Sequence, residues 1–199
     1  MSCDILAGIY RGFITTWGHP SILQLNPSLA PLRLNQTAVH VVRSTNRGSS
    51  ETRAITMYFN SVCPSSWGGW DVGDYVSQWP NSFGTAVSGD SMMTSTVWNT
   101  PYSIGYAFSA RGLSAGLKEA AITNANGTFL TSQLADLSPA FLASLLDLNS
   151  ASLPSPIDDW SKLNLGILPT IPNAWPMLNP TFLFVRKDLT WLGDSGGSP

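Results

Sequence analysis

Along this chain the apolar positions recur first at helical spacing, then as short unbroken runs, and the changes between the two mark its elements. Asp4 is placed to cap a helix over 5–12, with Leu6, Ile9 and Tyr10 on one face. Phe13-Ile14-Thr15-Thr16-Trp17 follows as an apolar anchor, and His19-Pro20 opens a second helix that ends at Asn26-Pro27. Residues 28–36 read as a loop. Thr37-Ala38-Val39-His40-Val41-Val42 is nearly continuous β-former, the mark of a strand buried on both faces of a parallel sheet. His40 within it reads as a core histidine, because no Ser, Cys or metal-ligand partner stands at motif spacing.

A polar loop then leads into a helix from Ser49 or Ser50 to Val62, where Pro64 stops it. Ile55, Phe59 and Val62, with Tyr58 beside them, form its buried stripe. Residues 65–73 are Gly- and Trp-rich and irregular, and 76–79 read as a short strand cut by Pro80. A small-residue loop over 84–91 feeds a helix over 92–99, which Thr100-Pro101 breaks. Residues 103–108 form a second buried strand, in which Gly105 admits a close neighbour. The segments 120–123 and 128–130 flank a hairpin turn, Asn124-Ala125-Asn126-Gly127. Ser138-Pro139 starts a helix carrying Phe141, Leu142, Leu145 and Leu146 at helical spacing, and 149–156 is linker-like. A last strand over 181–185 is closed by Arg186-Lys187-Asp188. Helices alternating with buried strands predict an α/β fold, a mixed and mostly parallel sheet flanked by helices. We place it in one domain over 1–192, followed by a flexible Gly/Ser tail over 193–199.

Composition narrows the partners. Of 199 residues 43% are apolar, enough for a real core, and only 11% are charged, against roughly 25% in an average soluble domain. A net charge of -2 exerts no long-range pull on nucleic acid or an acidic membrane, and no apolar run approaches the ~20 residues of a membrane span. Met1-Ser2-Cys3 lacks the basic start and apolar stretch of a signal peptide, so the chain reads as a mature region or a piece of something longer. The eight Trp are read mainly as core plates, with exposed sugar-binding platforms as the other use. Cys3 and Cys63 allow one bridge or none. The shortage of Lys and Glu, with possible N-glycosylation acceptors at Asn35 and Asn126, favours an extracytoplasmic setting and with it the Cys3–Cys63 bridge.

The chemistry concentrates in Val41-Val42-Arg43-Ser44-Thr45-Asn46-Arg47-Gly48-Ser49-Ser50-Glu51, a strand end, a polar loop and a helix start. Free N–H groups at a helix start favour an anion, and small residues and hydroxyls let the backbone approach it. Arg43, Arg47 and Arg53 face a single acid there, Glu51. The candidate anion ligands are Arg43, Ser44, Asn46, Arg47, Ser49 and Ser50.

Several runs, taken in order, resemble the periplasmic phosphate-binding proteins that serve ABC phosphate transporters. They are the segment from Leu6 to Trp17, Leu25-Asn26-Pro27, the Val41-Val42-Arg43 loop, Gln78-Trp79-Pro80 and Ser103-Ile104-Gly105-Tyr106-Ala107. Thr123-Asn124-Ala125-Asn126-Gly127, Ala174-Trp175-Pro176 and the segment from Thr181 to Asp188 complete the set. The resemblance implies a type 2 periplasmic-binding-protein fold, and mainly its second lobe. The first lobe, which supplies about half the ligand contacts in that family, would have to come from elsewhere or from another chain. The family's loop reads roughly His/Arg-Arg-x-Asp-Gly-Ser-Gly-Thr-Thr. Laid on it, Arg43 takes the first position, Ser44 the arginine and Asn46 the aspartate. Arg47 and Gly48 fall on Gly-Ser, and Ser49 and Ser50 on Gly-Thr. A one-residue shift would make Arg43 or Arg47 the cation. Asparagine at 46 bonds an oxyanion without repelling one that carries no proton, so discrimination of phosphate from sulfate should fall.

Two decoys are set aside. Gly193-Asp194-Ser195-Gly196-Gly197 looks like a serine-protease signature, but neither His19 nor His40 has the neighbours that a triad needs. Asp158-Asp159 is better read as a cap than as a catalytic pair. No cofactor, metal site or nucleophile–base pair is expected, and the reading is non-enzymatic: recognition of phosphate or sulfate through the 43–51 loop. The alternative is an extracellular structural or adhesive domain that has lost its ligand. An apolar last strand, from Phe182 to Val185, would need cover by a partner or a second copy.

Overall fold

The computed structural model describes residues 1–45, 49–68, 79, 84–124, 126–135 and 173–177. Helix α1 (Cys3–Tyr10) is buried at every residue except Asp4. Its cap is Ser2 and not Asp4: the Ser2 hydroxyl accepts the Ile5 N–H at 3.4 Å. Asp4 lies one place inside the first turn, where its charge suits the helix dipole, and it accepts a hydrogen bond from Ser66 Oγ at 2.5 Å. Helix α2 (Pro20–Leu25) starts where His19-Pro20 predicts, with His19 Nδ1 accepting the Ser21 N–H at 3.3 Å. The expected loop after it contains two 3-10 turns, Pro27–Leu32 and Leu34–Gln36.

The organising strand is β1 (His40–Ser44). It is central in a parallel three-stranded sheet, with β2 (Thr85–Val87) on one side and β3 (Ser103–Ile104) on the other. Val41 and Val42 point to opposite faces and are only 2% and 1% exposed, so this strand is buried on both faces as its composition predicts. His40 departs from expectation and is exposed. It pairs with Ser103 at the rim of the sheet, whereas β2 joins only from Val42 onward, so no second neighbour covers it.

Strand β2 arises inside the segment expected to be a loop. Three residues, two of them exposed, give no readable alternation; pairing with β1 extends them. Gly84 makes this approach possible. It sits at φ +84°, and a Cβ there would lie 2.4 Å from the carbonyl oxygen of Val41. Strand β3 is shorter than the expected 103–108, because the chain leaves the sheet at Gly105 and enters a short helix α6 (Ser109–Ser114). The close neighbour at Gly105 is helix α5 (Asp90–Asn99), whose Val97 Cγ2 and Met93 Sδ would stand 2.7 and 2.9 Å from an added Cβ.

Helix α3 (Ser50–Val62) joins α1 in the larger core, on the face of the sheet that carries Val39 and Val41. Ile55, Tyr58 and Phe59 are buried there, with the capping residue Ser49 where the sequence places it. Pro64 does more than stop α3: it begins a short helix α4 (Pro64–Trp67). Trp67 and Trp79, 1% and 5% exposed, close an aromatic cluster with Tyr10, Phe59 and Tyr106 at centroid distances of 4.8 to 6.1 Å. Trp98, 62% exposed, is no core plate. Val42, Val87 and Met93 form a smaller core on the opposite face, under α5.

Cys3 and Cys63 are joined by a disulfide that ties the first turn of α1 to the end of α3, with their Cα atoms 5.9 Å apart. A hairpin of β4 (Ile122–Thr123) and β5 (Phe129–Leu130) forms at the expected turn. Asn124, 2% exposed, organises that turn by accepting the N–H groups of Asn126 and Thr128, each at 3.0 Å. Helices thus flank a mostly parallel sheet, the α/β class that the apolar pattern predicts. The expected strand over 76–79 lies outside the described residues, Trp79 excepted. So do the helix at Ser138, the linker, the Asp158-Asp159 pair, the strand over 181–185 and the tail.

Candidate functional site

In an open parallel sheet, ligands collect beyond the carboxyl ends of the strands, where consecutive connections depart to opposite sides. Strand β1 is such a place, since the chain continues to β2 on one side of it and then to β3 on the other. Three segments converge beyond its end: the start of α3 after β1, the start of α5 after β2, and Tyr106 after β3.

Ser44 closes β1, and its N–H donates to the phenol oxygen of Tyr106 at 3.0 Å. The same phenol lies 2.8 Å from Thr52 Oγ1 on the first turn of α3. One tyrosine therefore fastens the end of the central strand to the start of the helix. Thr45 turns the other way, its N–H and hydroxyl both donating to the Val87 carbonyl of β2, at 2.8 and 3.1 Å.

Ser49 is the cap of α3 and accepts the Thr52 N–H at 3.1 Å. Its hydroxyl also donates to Glu51 Oε2 at 2.9 Å, and the Ser50 hydroxyl donates to the same oxygen at 3.2 Å. The Asp90 carboxyl, in the first turn of α5, hydrogen-bonds to Glu51. Burial pushes the Asp90 carboxyl above its ordinary range; the Glu51 charge and that hydrogen bond add to the rise, and Arg111 opposes it. Burial likewise raises the Tyr106 phenol, with a smaller contribution from Glu51, against the hydrogen bonds from Thr52 and the Ser44 N–H.

Of the sequence-derived candidates, Ser44, Ser49 and Ser50 meet at this strand-to-helix junction. Arg43 is half-buried on β1 opposite Ala86, on the pleat face that carries Val41. Asn46 and Arg47 lie outside the described residues. Cys3 and Cys63 are remote, at the other end of α3, a 13-residue helix whose length is roughly 20 Å. Asn35 and Asn126 are exposed, far along the chain from the loop.

Sequence reasoning missed Thr52, Tyr106 and Asp90, and gave Glu51 no role beyond its charge. Thr52 carried a weak signal, three residues after a capping serine. Tyr106 and Asp90 carried none of their own, because only the parallel pairing of β2 and β3 with β1 brings them to the junction. Among the described residues, no group of three or more His, Cys, Asp or Glu is placed to hold a metal ion. No helix among them is long and apolar enough to cross a membrane.

No family model matches the chain. In sequence it is similar to the phosphate-binding protein PstS of Methanocaldococcus jannaschii, 28% identical over 193 residues that cover 94% of this chain and 47% of the relative. It is also similar to the phosphate-binding protein PstS of Xylella fastidiosa, 29% identical over 187 residues that cover 92% of this chain and 46% of that one. The chain therefore spans about half the length of the curated relatives it matches. Among solved structures, a phosphate-binding protein from Stenotrophomonas maltophilia aligns over 54% of this chain and 30% of its own, with a TM-score of 0.40 and 19% identity. Over more than nine-tenths of its length this chain is similar to phosphate-binding proteins, as the runs from Leu6 to Trp17 and onward imply.

Proposed function

We propose that this chain is a non-enzymatic lobe of the phosphate-binding-protein kind, which recognises a small oxyanion, phosphate foremost, beyond the carboxyl end of β1. The observation that carries the reading is the junction itself. The central parallel strand runs into the amino end of a 13-residue helix, with Ser44, Ser49 and Ser50 gathered there. The first-turn N–H groups and the helix dipole attract negative charge, hydroxyls supply directed donors, and Arg43 lies one residue before the strand's end. Similarity to phosphate-binding proteins along most of the chain supports phosphate as the first ligand to try. Asn46 and Arg47 complete the proposed set, with sulfate admitted because asparagine does not repel an unprotonated oxyanion.

The remainder of the proposal concerns setting. A chain about half the length of its relatives reads as one lobe of two, completed by a further segment or by another chain. The disulfide between Cys3 and Cys63 supports an extracytoplasmic location, and the exposure of Asn35 and Asn126 would leave both open to glycosylation in a host that glycosylates. The test is calorimetric titration at low salt with phosphate and then sulfate, on the parent chain and on Ser50→Ala and Arg43→Ala. Heat that is lost in the two variants is the expected result. No heat from any of them up to millimolar anion, in folded protein, sinks the reading.

A second reading, a structural or adhesive domain that has lost its ligand, draws on a different observation. Met92, Trp98 and Tyr102 are 54%, 62% and 57% exposed on and just after α5, an apolar exposure suited to a protein surface. A folded chain without anion heat that associates with itself in sedimentation would favour it.

A further inference from the structure

The serine hydroxyls of the proposed anion site already hold an anion, and it belongs to the chain. Glu51 Oε2 accepts from Ser49 Oγ at 2.9 Å and from Ser50 Oγ at 3.2 Å. The Asp90 carboxyl, brought over on α5, is hydrogen-bonded to Glu51, and Arg111 is the cation felt at Asp90. A carboxylate and an inorganic oxyanion ask for the same donors, and two like charges at one helix start repel each other.

We propose that Glu51 is an internal competitor for this site: its carboxylate occupies the Ser49 and Ser50 hydroxyls, and phosphate binds only as Glu51 leaves them. This rests on the reading of the junction as an anion site and adds what governs its affinity. Two features separate it from simple helix capping. Ser49 alone already caps α3 through the Thr52 N–H, so the bond to Glu51 is not needed for that purpose. The second serine, Ser50, also donates to Glu51, although Ser50 is itself the first residue of the helix. The competitor is tethered and so present at high effective concentration, which lowers the apparent affinity of any oxyanion that arrives from solution.

The experiment titrates inorganic phosphate, at constant ionic strength, into the parent chain and into Glu51→Gln, Glu51→Ala and Glu119→Gln. Glu119 is occupied elsewhere, accepting the Ser132 N–H and hydroxyl at 2.9 Å each, so its variant controls for net charge. Circular dichroism confirms that each protein is folded, and Glu51→Ala carries the same reading should Glu51→Gln fail to fold. We expect phosphate to bind both Glu51 variants at least about tenfold more tightly than the parent, and Glu119→Gln to match the parent. A parent that binds phosphate while the Glu51 variants bind no better, or worse, overturns the competitor and leaves the site standing. An equal gain from Glu119→Gln overturns it too, by assigning the effect to net charge. Folded parent and variants that all ignore millimolar phosphate overturn the site together with its competitor.

Discussion

Removing one oxygen atom should loosen the junction between the sheet and α3. Tyr106→Phe keeps the ring, and with it the packing against Tyr10 and Trp79 at centroid distances of 5.9 and 5.7 Å. What disappears is the acceptor of the Ser44 N–H and the partner of Thr52 Oγ1. Thr52 is only 2% exposed, so water does not readily replace that partner, whereas half-buried Ser44 recovers part of its loss. An orphaned buried polar group costs about 1–3 kcal/mol. Taking the middle of that range for Thr52 and the bottom for Ser44, Tyr106→Phe should cost about 3 kcal/mol.

Thr52→Val provides the cross-check, because swapping both partners for apolar groups of similar shape leaves less unsatisfied than swapping one. Thr52→Val should therefore cost less in the Tyr106→Phe background than in the parent, with a coupling of about 1 kcal/mol. Urea denaturation of the four proteins measures this through the midpoint, at an unchanged slope. The reasoning is refuted if Tyr106→Phe shifts stability by less than about 0.5 kcal/mol, or if Thr52→Val costs the same in both backgrounds.

Three further outcomes are expected. Breaking the Cys3–Cys63 bridge, by reduction or by paired alanines, should lower stability by about 4 kcal/mol from the entropy of opening a loop with a sequence separation of 60; a loss under about 1 kcal/mol in a urea melt contradicts this. Gly105→Ala should cost about 1–3 kcal/mol, because the new methyl meets Val97 at 2.7 Å and Met93 at 2.9 Å, and an unchanged melting midpoint would show that α5 yields freely. Burial holds the Tyr58 phenol up at about 12, with the nearby Asp4 charge adding and the Thr123 hydrogen bond opposing. The unfolded phenol ionises near 10, so the contribution of Tyr58 is whole below that pH and is lost as pH rises through the folded value. Stability should fall with a slope approaching about 1.4 kcal/mol per pH unit between the two, and a flat alkaline profile would contradict the assignment.

The chain displays its helices and its central strand openly, because those elements bury stripes long enough to leave a period. Leu6, Ile9 and Tyr10 mark α1, and Ile55 and Phe59 mark α3; all five are buried in the larger core. Short strands are another matter. Thr85-Ala86-Val87 owes its conformation to the edge of β1 and to a glycine that lets the two backbones meet, and neither shows in a three-residue pattern. The exposure of His40 is a matter of register: the run of β-formers is continuous, but β2 joins only two residues later. The site divides in the same way. Ser44, Ser49 and Ser50 were legible because they are local to one strand-loop-helix unit. Tyr106 and Asp90 were not, because the sheet assembles them from segments 40 and more residues away.

Helix α3 is held at both ends and in the middle, and this bears on how the junction responds to a ligand. Tyr106 grips its first turn through Thr52, the phenol of Tyr58 donates to the Thr123 carbonyl at 2.6 Å, and Cys63 at its end is bonded to Cys3. A rigid element fixed at three points along roughly 20 Å does not slide toward an anion without breaking one of them. The sheet side is fixed as well, because the Ser44 N–H is committed to the same phenol that holds Thr52. The change on binding should therefore fall on the groups that no such tie restrains, the Glu51 carboxylate and the two serine hydroxyls it occupies. That makes the exchange of one carboxylate for one oxyanion the central energetic event at this site. Its affinity would then be set by how readily Glu51 lets go, with little contribution from movement of the fold.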